Sequence, residues 1–282
     1  MNGLINLYKP SGISSAAAVG KVRHILGEKK IGHMGTLDPM AEGVLVLGVG
    51  KSARLFDYLA GKRKSYIAKF TFGYETDTLD KLGAVVSKTD DIPSVDAVLN
   101  AMLSLIGKQS QIPPVYSAKH IDGQRAYKLA RSGATVEPKA VDIEIFGAEL
   151  ICQPRMNEFV FSVDCSAGTY IRSICRDVAR LCGSLATLEY LQRTSSGVFK
   201  VSDSVSFENL DVIKGGAVIP PYKVIDLPRF DVSSEKKSDL DNGRRIECAL
   251  TGDVLVYCDN VFYGIGREEC GALKIITYLK DD

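Results

Sequence analysis

Three stretches of the chain predict strands, because their apolar residues either alternate with polar ones or run without interruption. Residues 44–49 form a continuous apolar run that is typical of a buried strand. Residues 66–72 alternate, with Tyr66 and every second residue after it on one face, and residues 159–165 alternate in the same way. The pattern therefore predicts a sheet to which distant parts of the chain contribute.

Apolar residues at intervals of three and four predict helices between these strands. Ser14 or Ser15 is placed to cap a first helix, which Gly27 would end. Ser94 is placed to cap a second helix, which would extend as far as Gly107. A third helical stretch follows the last predicted strand. Long alternating strands with segregated helices indicate an α+β fold.

A domain boundary is predicted near residue 225. The preceding residues include Gly215-Gly216 and Pro220-Pro221, pairs that interrupt helices and strands. We therefore expect a main domain over residues 1–225 and a small β-rich module over residues 226–282. The strands predicted for this module are residues 253–258, 261–265 and 273–278.

The composition is that of a globular protein, since 45% of the 282 residues are apolar. No stretch approaches the roughly 20 apolar residues of a membrane span, and the first residues lack the pattern of a secretion signal, so we expect a cytoplasmic protein. The seven cysteines form no Cys-x-x-Cys pair, which predicts reduced thiols and neither a disulfide framework nor a zinc site. A monomer is expected.

The net charge of +1 conceals a gradient along the chain. Residues 1–72 carry 11 basic and 4 acidic side chains, whereas residues 202–282 carry 10 basic and 15 acidic ones. Binding to phosphates releases counterions and depends on local charge more than on the total. The gradient therefore predicts that a polyanion would bind the N-terminal part of the chain.

Asp38 is the candidate for nucleophilic or acid–base chemistry. It lies in a segment where Gly35 permits a sharp turn and Pro39 disfavours the helical conformation of the residue before it. Such a loop presents a carboxylate. An Asp followed by Pro is also typical of a helix start, with Asp38 as the N-cap residue. Spacing alone leaves both interpretations open.

The segment around Asp38 reads Gly-His-x-Gly-Thr-Leu-Asp-Pro-x-Ala-x-Gly-Val-Leu, and every fixed position of this pattern is that of the catalytic loop in one enzyme family. This family, which the chain resembles, is the TruB family of bacterial pseudouridine synthases, which modify the T loop of transfer RNA. Further segments match in the family's order: Lys9-Pro10-Ser11-Gly12, Lys64-Ser65-Tyr66, Thr76-Asp77-Thr78-Leu79-Asp80, Pro113-Pro114-Val115-Tyr116-Ser117-Ala118, Gly168-Thr169-Tyr170-Ile171-Arg172 and Leu191-Gln192-Arg193. The resemblance implies a mixed or antiparallel central sheet flanked by helices, followed by a PUA-like RNA-binding module.

The resemblance also implies a reaction, the conversion of uridine 55 of transfer RNA to pseudouridine. The bond from ribose C1′ to N1 breaks, the uracil turns, and C5 joins the same carbon, so no cofactor or metal is expected. Asp38 would either add to C1′ or take a proton from C2′, and the sequence does not choose between these routes. Arg172 would pair with Asp38 and keep it ionised. By helical spacing we expect Arg176 and Arg180 to face outward.

Other roles also come from the resemblance. Tyr66 would hold the flipped uracil, although spacing alone makes it a core residue of a strand. His33 would fill the gap that the base leaves in the RNA. Tyr170 and Leu191 would contact the substrate. Lys64 and Arg54 would hold phosphates of the RNA, although an exposed run of charges explains them equally well. Arg125, Lys128 and Arg131 lie in an insertion over residues 113–133 that would grip the T arm.

Two alternative functions share this resemblance. One is an RNA-binding or RNA-folding protein with incidental catalysis, which the intact Asp38 and Arg172 argue against. The other is a guide-RNA-dependent synthase, which the insertion over residues 113–133 argues against, since a guide would replace it. No obligate protein partner is expected. A glycoside hydrolase is disfavoured because the sequence offers no convincing second carboxylate to act with Asp38.

Overall fold

The structure is a computed structural model that describes residues 1–59, 62–116, 120–121, 124–125, 138–248 and 250–280. The strands are β1 (Gly3–Lys9), β2 (Ile31–His33), β3 (Glu42–Val49), β4 (Lys64–Phe72), β5 (Tyr74–Thr76), β6 (Val85–Lys88), β7 (Gly107–Gln111), β8 (His120–Ile121), β9 (Gln124–Arg125), β10 (Val141–Arg155), β11 (Glu158–Cys165), β12 (Ala186–Ser196), β13 (Phe199–Lys200), β14 (Arg229–Val232), β15 (Ile246–Glu247), β16 (Asp253–Cys258), β17 (Val261–Glu269) and β18 (Ala272–Tyr278). The α-helices are α1 (Ser15–Leu26), α2 (Phe56–Leu59), α3 (Val95–Ser104), α4 (Ile171–Leu181), α5 (Phe207–Ile213) and α6 (Lys237–Asp241).

In the described part of the chain, nine strands form one mixed sheet with the order β1-β3-β12-β4-β11-β10-β7, in which β2 pairs with β3 and β13 with β12. Most neighbouring strands run antiparallel, whereas β3 and β12 run parallel and pair Gln192 with Glu42 and Arg193 with Gly43. The predicted strands and the α+β fold are confirmed. This order places the strand after the Asp38 loop beside the strand that carries Leu191.

The main core lies between one face of this sheet and the helices. Phe70 and Phe161 project from neighbouring strands with their ring centroids 5.4 Å apart, and both are fully buried. Val22 of α1, Met102 of α3 and Ile174 of α4 belong to the same core. Burial of these apolar faces is the main force that holds the helices on the sheet.

The helix caps lie where the sequence predicts them, except at the C-terminal end of α3. The Ser14 hydroxyl accepts a hydrogen bond from the backbone of Ala17 and caps α1, and Gly27 ends that helix in the left-handed conformation with φ +64°. Ser94 caps α3 in the same way. The prediction that this helix extends to Gly107 is wrong. The helix ends at Ser104, because the amides of Leu105 and Ile106 bond to carbonyls three residues back in a tighter turn. Strand β7 then begins at Gly107, whose φ is +109°.

A second sheet lies near the C-terminus. Five strands within the described residues pair in the order β14-β16-β17-β18-β15, so the strands predicted for this module are confirmed. Its Leu255 and Ile265 share a core with Val44 and Val46 on the second face of β3. The C-terminal sheet therefore shares an apolar core with the strand that follows the Asp38 loop. In the described ranges, no helix has the length and apolarity that crossing a membrane requires.

Gly43 provides a test of the close approach between β3 and β12. It has a φ of +101°, and a Cβ atom there would lie 2.3 Å from the carbonyl oxygen of Arg193. We expect Gly43→Ala to lower the free energy of unfolding by about 3 kcal/mol or more, since the strain and the clash add. Urea unfolding followed by circular dichroism measures the change.

The control is Gly20→Ala in α1, where an added Cβ would meet no atom within 4 Å. We expect this variant to gain about 0.5–1 kcal/mol, because alanine has the higher helix propensity. Equal stabilities for the two variants would contradict the packing of β3 against β12.

Candidate active site

Asp38 lies in a loop rather than at the start of a helix. The chain makes a turn in which the Ala41 amide donates to the Asp38 carbonyl at 3.1 Å, and β3 begins at Glu42. The helix-start interpretation is therefore wrong. The buried Ser15 hydroxyl holds the residue before Asp38, because it accepts from the Leu37 amide at 2.9 Å and donates to the Leu37 carbonyl at 2.8 Å.

Lys9 anchors the same loop from the end of β1. Its ammonium donates to the carbonyl oxygens of Pro10, Ile13 and Ala41 at 2.9, 2.8 and 2.7 Å. Burial lowers the pKa of Lys9 to about 8, which leaves the group mostly charged at neutral pH, with three hydrogens for three acceptors. Lys9 belongs to one of the motifs that match the family but had no predicted role, because no local pattern along the chain shows these contacts.

Arg193 anchors the loop from the other side. This fully buried guanidinium donates to the carbonyl of Val44 at 2.7 Å, that of Thr36 at 3.2 Å and that of Gly35 at 3.3 Å. It thereby ties the backbone on either side of Asp38 to β12. Together with Lys9 and Ser15 it restricts the directions in which the Asp38 side chain can point.

The Asp38 carboxylate pairs with Arg172 through two atom pairs. Arg172 Nη2 donates to Asp38 Oδ1 at 3.1 Å, and Arg172 Nε lies 2.9 Å from Asp38 Oδ2. The Arg172 side chain is 5% exposed and that of Asp38 is 29% exposed. The cation is therefore enclosed by the protein, whereas the carboxylate reaches the surface of the pocket.

Further acceptors surround Arg172. Its Nη1 lies 3.5 Å from a carboxylate oxygen of the buried Asp80 and donates to the Thr78 carbonyl at 3.0 Å, and its Nη2 donates to the Tyr116 carbonyl at 3.1 Å. A buried guanidinium is costly unless its donors find partners. These contacts hold Arg172 in one orientation, with Asp38 on its open side.

The start of α4 explains how Arg172 comes to be buried. The side-chain amide of Gln111 accepts from the Tyr170 backbone at 2.8 Å and donates to it at 3.2 Å, which fixes the residue before the helix. The prediction that Arg176 faces outward is wrong. Arg176 is 8% exposed and donates to the Ile112 carbonyl at 3.0 Å, because the chain after β7 crosses the first turns of α4. Arg180 is exposed, as expected.

A pocket of about 570 Å³ opens at Asp38. Tyr66, Tyr170, Leu191 and Lys64 line it, so the structure brings these predicted residues together with Asp38 and Arg172. Burial raises the pKa of Tyr66 and so keeps its phenol protonated. Burial, and secondly the charge of Arg193, lower the pKa of Lys64 to about 8. Two residues to which the sequence analysis gave no role, Phe56 and Arg193, also line the pocket.

Two further predicted residues, Arg54 and His33, are not among the described residues that line this pocket. Arg54 is exposed on the 3₁₀ segment Gly50–Leu55, and His33 lies at the end of β2, opposite Leu47. Arg125 lies in β9, whose backbone pairs with β8. Lys128 and Arg131, with most of the insertion over residues 113–133, fall outside the described residues.

Basic side chains of the C-terminal sheet and its turns take part in ion pairs. Arg245 and Lys274 both contact Glu269, at 3.1 and 3.5 Å, and Arg244 contacts Asp239 at 3.4 Å. Exposed pairs of this kind are weak and leave the acidic balance of the segment unchanged. Over the residues that the structure covers, no three or more His, Cys, Asp and Glu side chains are grouped so that they could hold a metal ion.

Comparison with solved structures agrees with this architecture. The protein of a structure described as a Cbf5-Nop10-Gar1 complex matches with a TM-score of 0.72, covering 98% of this chain and 84% of that chain at 22% identity. At this identity the similarity shows the fold alone. It confirms the expected α+β fold with a mixed central sheet, flanking helices and a C-terminal β-rich module.

Sequence comparison identifies the family. A model described as TruB family pseudouridylate synthase (N terminal domain) matches residues 23–171. A tRNA pseudouridine synthase B of Thermosipho melanesiensis is 40% identical over 95% of this chain and 92% of its own length. Another, of Clostridium tetani, is 35% identical over 99% of this chain and 100% of its own length. The residues around Asp38 and Arg172 thus lie in a chain that belongs to the TruB family of pseudouridylate synthases.

Proposed function

We propose that this protein converts a uridine in the T loop of transfer RNA, at position 55, to pseudouridine. The observation that carries the proposal is the Asp38 carboxylate, which is open to a pocket and paired with the buried Arg172. The name of the relatives, tRNA pseudouridine synthase B, supports transfer RNA as the substrate. Family membership supports pseudouridine formation as the reaction.

Asp38 is the group that acts on the ribose in this proposal. Its carboxylate either adds to C1′ as the bond to N1 breaks, or takes a proton from C2′ so that a glycal forms. The freed uracil then turns and C5 bonds to C1′. In the first route this displaces the Asp38 carboxylate from C1′, and in the second the proton returns from Asp38 to C2′. In both routes C5 finally loses its proton and N1 gains one, so the product is an isomer of the substrate. Arg172 orients this carboxylate, because its Nη2 and Nε atoms each lie against one carboxylate oxygen.

The pocket walls hold the base in this proposal. A uridine in a folded loop is stacked, so it must leave the stack to reach Asp38. Tyr66 and Leu191 offer a ring and an aliphatic side chain beside Asp38, and Tyr170 lines the same pocket. The volume of about 570 Å³ lies within the range of small-molecule sites. His33 occupies the space that the base vacates in the RNA.

Basic residues hold the RNA backbone in this proposal. Lys64 lies in the pocket, and the exposed Arg54 lies on the segment that leads to it. Arg125, Lys128 and Arg131 of the insertion over residues 113–133 contact the T arm. The protein acts in the cytoplasm as a monomer, with a catalytic domain over residues 1–225 and an RNA-binding module over residues 226–282. It needs no protein partner.

Replacement of Asp38 by Asn tests the catalytic assignment. We expect Asp38→Asn to lower the release of tritium from 5-tritiated uridine in transfer RNA by at least about a thousandfold, because an amide neither adds to C1′ nor accepts the C2′ proton. Affinity for the RNA should change by less than about threefold, since the shape of the pocket is kept.

The matched control is Asp90→Asn, which removes one carboxylate from an exposed position outside the pocket lining. It should retain wild-type turnover. Substantial turnover by Asp38→Asn, with a folded protein by circular dichroism, would remove Asp38 from the mechanism.

The pKa of Lys64 predicts a pH dependence of RNA binding. With a pKa of about 8, the ammonium is mostly charged at pH 7 and mostly neutral at pH 9. A neutral amine binds phosphate weakly, so we expect the Kd for the RNA to rise about fivefold over this interval. Fluorescence anisotropy with the Asp38→Asn protein measures binding without turnover.

Lys64→Met isolates this contribution from that of Lys9, whose pKa is also about 8. The variant should bind more weakly than its parent at pH 7 and lose most of the pH dependence. If the Kd of Lys64→Met changed between pH 7 and pH 9 as much as that of its parent, Lys64 would not hold a phosphate.

A further inference from the structure

Phe56 is an exposed aromatic residue on the rim of the Asp38 pocket. Its side chain is 46% exposed, although it is the first residue of α2 and lies among the residues that line the pocket. Single exposed apolar residues are common on protein surfaces. Phe146, which is 41% exposed, is an example within this chain, and it does not line the pocket. The position of Phe56 beside Asp38 is what sets it apart.

Two buried leucines hold the segment around Phe56 in place, Leu55 directly before it and Leu59 three residues after it. Leu55 and Leu59 belong to the core that β3 shares with the C-terminal sheet. Tyr58, two residues after Phe56, donates a hydrogen bond from its hydroxyl to the carboxylate of Asp253 in β16. Positions two apart lie on nearly opposite sides of a helix. One side of α2 therefore contacts the C-terminal sheet while Phe56 remains at the pocket.

The Asp253 carboxylate that Tyr58 contacts is itself held by a second residue. Arg267 donates to both oxygens of Asp253, at 2.5 and 2.9 Å, and these hydrogen bonds lower the pKa of Asp253. Burial and the bond to Asp253 raise the pKa of Tyr58 to about 12, so its hydroxyl remains a donor at neutral pH. The Phe56 ring is thus presented from a helix that is already ordered, which reduces the entropy lost on binding.

The surroundings of the ring indicate what it binds. Lys64 and Arg193 place positive charge in the same pocket, and the exposed Arg54 lies two residues before Phe56. A flat apolar face beside basic groups fits a nucleic-acid strand, whose bases stack on aromatic rings while its phosphates contact cations. Tyr66 and Leu191 lie deeper, beside Asp38, and are taken by the target base in the proposed function. Phe56 at the rim then faces the strand where it enters or leaves the pocket.

We propose that Phe56 stacks on the base of a nucleotide next to the target uridine, and that this contact contributes to substrate recognition. The inference rests on the proposed function and adds a recognition residue to it. A stacked base should prefer a flat side chain over an aliphatic one of similar size. Phe56→Trp should therefore preserve the contact, whereas Phe56→Leu should remove it.

The experiment measures the Kd of a synthetic T-arm hairpin by fluorescence anisotropy, with all variants carrying Asp38→Asn to prevent turnover. We expect Phe56→Leu to raise the Kd about tenfold and Phe56→Trp to leave it within about twofold, as the loss of one base stacking contact predicts. The matched control is Phe146→Leu, which removes a ring of similar exposure outside the pocket lining and should bind like the parent.

Abasic hairpins identify the stacked base. In two separate hairpins, the base is removed at one or the other of the positions that flank the target. One of these two hairpins should bind the parent protein about tenfold more weakly than the intact hairpin does. The same hairpin should bind Phe56→Leu no more weakly than the intact hairpin does, because the contact is already lost. The proposal would be overturned if, at both positions, the loss of affinity caused by base removal added to the loss caused by Phe56→Leu. A Kd for Phe56→Leu within twofold of that of the parent would also overturn it.

Failure of the proposed function would look different. In that case the protein with Asp38 intact would form no pseudouridine in the intact hairpin or in transfer RNA. Normal turnover by this protein, together with unchanged binding of Phe56→Leu, would reject the role of Phe56 alone.

Discussion

The pairing of a buried guanidinium with a partly exposed carboxylate is the interaction on which this structure depends. Arg172 is enclosed by Asp80, by the carbonyls of Thr78 and Tyr116, and by Asp38. Leaving such a cation without partners inside the protein would cost several kcal/mol, so its surroundings constrain the arrangement of every segment that reaches it. The Asp38 carboxylate is therefore held through a cation that cannot move far.

The loop that carries Asp38 is fixed by contacts with distant segments of the chain. Lys9, Ser15 and Arg193 each hydrogen-bond to its backbone, and they come from β1, α1 and β12. Glycine and proline allow the loop its conformation, but these side chains select one conformation among those allowed. The conformation of the Asp38 loop therefore depends on β1 and β12, although these strands are far from it along the chain.

Sequence patterns predicted the elements of the fold well wherever burial repeats with a regular period. The alternation from Tyr66 and the caps at Ser14 and Ser94 correspond to elements of the structure. The same reasoning failed at Gly107, because the chain leaves α3 in a tighter turn before that glycine. It failed at Arg176 because helical spacing contains no information about the Ile112 carbonyl, which reaches that side chain from another element.

The sequence by itself determined the fold class, which follows from local periodicity, and the family resemblance, which follows from the motifs. The expected pairing of Asp38 with Arg172 came from that resemblance. Only the tertiary structure decided that Lys9 and Arg193 anchor the loop and that Phe56 lies on the rim of the pocket. Those contacts join residues separated by many positions, and they form only when the sheet brings the strands together. A pattern read along the chain cannot contain them, because the distances that define them exist only in the folded protein.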